Sequence, residues 1–89
     1  MNLVLELAKR NNLTPTHWID KSKRTLTVLK DTRRLWDIQK EEWIGFKDIA
    51  CTLAVNQNGE QTYFEQPWER FELFVKCKIY EPCEVIQYD

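Results

Sequence analysis

Eighty-nine residues, 43% hydrophobic and 30% charged, are enough for one compact domain over 1–89 with a modest core, and they exclude a disordered chain. The formal net charge of −1 excludes a strongly basic or acidic protein, and no apolar run approaches the ~18–20 residues of a membrane-spanning helix. Three cysteines fit a secreted disulfide framework poorly, and Glu6 interrupts a first apolar stretch that has no basic segment before it, so the expected compartment is the cytoplasm, with reduced thiols.

In chain order, residues 2–11 place Leu3, Val4, Leu7 and Ala8 on one helical face, with Lys9 and Arg10 in the last turn. Asn11-Asn12 then reads as a stop, because Asn tolerates the left-handed conformation. The following stretch supports two readings. "LAKRNNLTPTHWI", residues 7–19, resembles the bacterial helix-turn-helix pattern over about thirteen residues: Asn12 takes the turn position usual for glycine, Leu13 plugs the core, and Thr14-Pro15 opens a second helix. That resemblance implies a DNA-reading helix. Asp20 to Arg24 then supply none of the apolar residues such a helix needs after Trp18, and "RTLTVL" has strand composition. A β-hairpin over Trp18–Leu29, turning at Lys21-Ser22-Lys23, satisfies more residues and is the preferred reading.

Residues 31–43 begin with Asp31 or Thr32 as a cap, contain good helix formers and end near Gly45, which predicts a second helix. "DIACTLAV" and "EQTYFEQ", joined through Asn58-Gly59, predict another hairpin. Residues 71–80 alternate, with Phe71, Leu73, Val75, Cys77 and Ile79 on one side, and a helix there would set Lys78 among apolar residues; a strand is expected. Pro82 interrupts or ends it, and "CEVIQY" gives a short final edge strand. The expected fold is α+β: an antiparallel sheet of about four to six strands, with an N-terminal helix and a second near 31–43 packed on one face.

Chemistry-bearing residues are few. His17 is the one histidine, and with Cys51, Cys77 and Cys83 it completes a Cys₃His inventory, but no local spacing clips two ligands together, so no metal and no cofactor is expected. Glycine-rich, zinc-protease and serine-hydrolase motifs are absent, and catalysis would require the fold to bring His17 to a cysteine or carboxylate. Charge is asymmetric: residues 1–40 carry +5 and residues 41–89 carry −6. The basic half, with Lys9, Arg10, Lys21, Lys23, Arg24, Arg33 and Arg34 interleaved with aromatics, suits a nucleic-acid contact through phosphates and stacking.

Eleven aromatics exceed what so small a core can hide, which favours a surface for protein partners, with Trp36, Trp43, Tyr63, Trp68 and Phe74 as candidate anchors. Open strand edges make a homodimer an expectation. The first reading is therefore a non-catalytic intracellular binding or regulatory module acting through protein–protein contacts. A nucleic-acid-binding protein is the alternative, and a small enzyme with an unrecognised site is the third.

Overall fold

A computed structural model describes residues 3–83, which form α1 (Leu3–Arg10), β1 (Thr16–Ile19), β2 (Thr25–Asp37), β3 (Glu42–Val55), β4 (Gln61–Pro67), α2 (Trp68–Lys76) and β5 (Glu81–Pro82). The five strands make one antiparallel sheet in the order β4-β3-β2-β1-β5, so the α+β reading and its strand count hold. β1 to β4 run as a meander, and α2 carries the chain back across the sheet to β5 at the opposite edge. The final strand expected after Pro82 lies, apart from Cys83, outside the described residues.

Turn chemistry sets the meander. Asp20 opens the β1–β2 turn, its Oδ1 accepting the backbone N–H groups of Ser22 and Arg24, both at 2.9 Å. Asn56 does the same in the β3–β4 turn for Asn58 (2.9 Å) and Glu60 (3.0 Å). Asp37 accepts from Gln39 (2.9 Å) and Lys40 (3.1 Å) between β2 and β3. These are Asx turns, in which a short side chain satisfies the donors that the tight reversal leaves over. A left-handed residue completes each one: Lys23 at φ 66°, Gly59 at φ 84° and Glu41 at φ 53°. The hairpin reading of residues 18–29 is thus correct and the helix-turn-helix reading is not, because Thr16–Ile19 pairs with Thr25–Val28.

Two further expectations are overturned. Residues 31–43 form no helix; they are the distal part of β2, the turn and the start of β3, paired from Asp31↔Ile49 to Asp37↔Glu42. The cross-strand ladder supplies what helix propensity could not: Trp36 meets Trp43 edge-on at 5.1 Å, and the Arg34 guanidinium lies 4.1 Å from the Trp43 ring centre. Residues 71–80 are no strand. Helix α2 packs Trp68, Phe71, Phe74 and Val75 on the sheet and stops before Lys78 reaches that face. Lys78 is left-handed (φ 58°); its N–H bonds to Val75 (3.1 Å) and that of Ile79 to Phe74 (2.9 Å), a Schellman stop that takes the lysine out of the helix. Asn12 (φ 55°) ends α1 in the same way, where the sequence places the stop.

The helices lie on opposite faces of the sheet, not on one. Val4 and Ala8 of α1 pack on Leu29, Cys51 and Leu53, whereas Phe71 of α2 packs on Leu26, Val28, Ala50 and Ala54, the alternate positions of the same strands. Residues 26–29 and 50–54 are therefore buried continuously, not alternately.

Candidate interaction surface

Strand β2 has thirteen residues and β3 fourteen, but their flanking strands are much shorter. β1 pairs only with 25–28 of β2, and β4 only with 49–55 of β3. The remaining ladder, from Thr32–Asp48 to the Asp37 turn, is a two-stranded ribbon about 17 Å long, both edges unpaired among the described residues. No residue from Lys30 to Ile49 is buried. The molecule is accordingly elongated, 45 × 30 × 21 Å.

The arm carries the chain's concentration of exposed apolar surface. Of eleven large exposed apolar side chains among the described residues, six lie between Leu35 and Phe46: Leu35, Trp36, Ile38, Trp43, Ile44 and Phe46. Ile38 at the tip is 82% exposed and Phe46 71%. Ile44 stands outside the pairing, in an irregularity that sets Leu35 opposite Gly45 but Trp36 opposite Trp43.

A polar cluster fixes the root of the arm on the α1 face. Arg33 donates through both terminal nitrogens to Glu65 on β4 (Nη1 to Oε1 at 2.7 Å, Nη2 to Oε2) and through Nε to Asp31 at 3.2 Å. Tyr63 donates to the same carboxylate at 2.7 Å, and the Cys51 sulfur lies 3.7 Å from Arg33 Nη2. The two-pronged Arg33 contact, with help from Tyr63, holds the Glu65 carboxyl well down, at about 2. Burial pushes the Cys51 thiol up, the opposite of what a nucleophile needs. This cluster bolts the arm across the sheet from β2 to β4.

The seven basic residues expected to contact nucleic acid do not form one stripe. Lys9 and Arg10 close α1, while Lys21, Lys23 and Arg24 lie in the turn at the end of the sheet away from the arm, Arg24 paired with Asp20 at 2.8 Å. Arg33 lies nine residues further along β2, roughly 30 Å away, and Arg33 and Arg34 point to opposite faces. Among the aromatic anchors, Trp36 and Trp43 come together on the arm, and Tyr63 is exposed beside the Arg33 cluster. Trp68 and Phe74 pack against the core around Phe71 and Tyr80.

His17 projects from β1 with Nδ1 buried and lacking a hydrogen-bond partner among the described residues, and burial lowers its pKa below the usual 6.5. Sequence reasoning missed Leu35, Ile38, Ile44 and Phe46. The signal for them was Asp37-Ile38-Gln39-Lys40-Glu41, an Asx turn of the same kind as Asp20-Lys21-Ser22-Lys23-Arg24. Comparison of the chain with protein-family models, with curated proteins and with solved structures finds no match.

Proposed function

We propose that this protein is a non-catalytic interaction module whose β2–β3 arm docks on another protein chain. The carrying observation is the set of six exposed apolar side chains on a ribbon that buries none of its own residues. Exposed aliphatic and aromatic surface of this density is costly in water and is compensated by an interface. Charge favours a protein over a polyanion: residues 30–48 hold five Lys/Arg and five Asp/Glu, so the arm is neutral, whereas a phosphate-binding ribbon needs a basic excess. The free edges add backbone donors and acceptors that a partner strand can satisfy.

The test places a photo-crosslinking residue at Ile38 or Phe46 on the arm, and at Lys21 or Gln57 at the far end, in cells that make the protein. Protein adducts, identified by mass spectrometry, are expected from the arm positions and not from the far end. Equal labelling at both ends, or none at the arm, overturns the reading. Adducts to nucleic acid at the arm favour a polyanion instead.

A further inference from the structure

We propose that the end of the sheet away from the arm carries a second site, a basic cavity that binds the phosphate group of a small molecule. The cavity, about 220 Å³, lies between the β1–β2 turn and the segment that leads from α2 into β5. Pairing of β5 with β1, Ile19 opposite Glu81, brings these two stretches together from distant parts of the sequence. Lys21 and Lys23 line the cavity from the turn and Lys78 from the segment after α2, with Ile19 and Ile79 as its apolar lining. None of the three lysines is in an ion pair among the described residues. Two carboxylates also line the cavity. Asp20 is committed to the turn: its side chain is 6% exposed, and it accepts from Arg24 Nε at 2.8 Å as well as from two backbone N–H groups. Only Glu81 remains, so three ammonium groups against one carboxylate leave an excess of two positive charges, which matches a phosphate dianion.

The backbone adds to this. Lys23 (φ 66°) and Lys78 (φ 58°) both sit in the left-handed region, at positions where turns and helix stops favour glycine or asparagine. Lysine there sets two ammonium groups on one cavity at the expense of backbone strain, and an anion between like charges relieves their repulsion. The cluster is compact and does not extend into a track. Along β2 the next cation after Arg24 is Lys30, six residues or roughly 20 Å on, and Lys76 lies on the side of α2 with Glu69 and Glu72. A nucleic-acid backbone is held by a row of cations, whereas a single phosphate group needs only one such cluster. The ligand is therefore a small phosphate ester or the free ion. The site stands apart from the arm and does not depend on what the arm binds.

The experiment follows amide chemical shifts of isotope-labelled protein at about pH 7.5, where a phosphate monoester is dianionic. Inorganic phosphate, adenosine monophosphate and sodium chloride are titrated separately at matched ionic strength. Saturable shifts are expected in residues 21–24 and 78–81 with phosphate or the nucleotide, and not with chloride. Tighter binding of the nucleotide supports the site with a phosphate ester as ligand, and equal binding supports it with the phosphate group alone being read. Lys23→Gly and Lys78→Gly each remove one ammonium group at a position whose backbone suits glycine, so the fold is kept, as circular dichroism checks. Each is expected to weaken phosphate binding about tenfold, and Lys21→Gln to act in the same direction, because each loses a charge-assisted hydrogen bond. Lys40→Ala, at the arm tip, is expected to bind as wild type does. Shifts that appear equally with chloride, that spread over the whole surface, or that survive the lysine substitutions each overturn the proposal. A single-stranded RNA that binds more tightly the longer it is overturns it in favour of a polyanion track. None of these readouts involves a partner of the arm, so either site can fail alone.

Discussion

At the scale of single residues, the molecule holds several costly conformations whose local causes are visible. Lys78 and Lys23 sit in the left-handed region, where a Cβ is penalised and glycine is not. Lys78→Gly is expected to stabilise the fold by about 0.5–1 kcal/mol in urea melts, since the Schellman stop of α2 needs the conformation and not the side chain. Asp20→Ala should cost about 2–3 kcal/mol in the same measurement, because it strips two backbone donors and Arg24 of a charged acceptor.

Acid stability divides between two residues. His17, the one histidine, has its folded pKa lowered, so the unfolded chain takes the proton first; stability is full above 6.5 and falls as pH drops below it. Glu65 is held at about 2 against 4.5, so its contribution is present above 4.5 and is lost on acidifying towards 2. Unfolding free energy measured against pH should therefore fall in two separate windows, with His17→Phe flattening the upper and Glu65→Gln the lower. A variant that leaves its own window unchanged refutes the assignment.

At the scale of elements, the arm is separable from the core. Replacing Leu35–Gly45 with a two-residue Asn-Gly turn between the paired Arg34 and Phe46 removes no buried residue and keeps the Arg33–Glu65 bolt. This shortened protein is expected to keep its far-ultraviolet circular dichroism and melt within a few degrees of wild type; a collapse of the fold would make the arm part of the core. Elements with their own stop signals were legible: α1 by Asn12, the β1–β2 turn by Asp20, and the β3–β4 turn by Asn56 and Gly59. Residues 31–43 and 71–80 misled because each has a local pattern compatible with either state. For 31–43 the choice is made by residues 42–49 across the ladder, and for 71–80 by where Lys78 ends the helix.

At the scale of the whole molecule, the opposite charge of the two halves does not sort into two surfaces. Arg33 from the basic half bonds Glu65 from the acidic half, and Lys30 lies 3.8 Å from Asp48, so the sheet intermixes what the sequence separates. That mixing leaves the arm without net charge: residues 30–48 hold as many Lys/Arg as Asp/Glu. A basic N-terminal half is a property of the chain order and not of one face.

The sequence by itself determined the α+β class, the N-terminal helix with its stop and two of the three hairpins. These follow from capping, Asx turns and hydrophobic periodicity, which act over a few neighbouring residues. Only the tertiary structure decided that the helices take opposite faces and that Trp36 and Trp43 stand together on a projecting ribbon. It also decided that Trp68 and Phe74 belong to the core. Those outcomes depend on which strands outrun their neighbours, and β2 and β3 are long enough to leave both flanks behind.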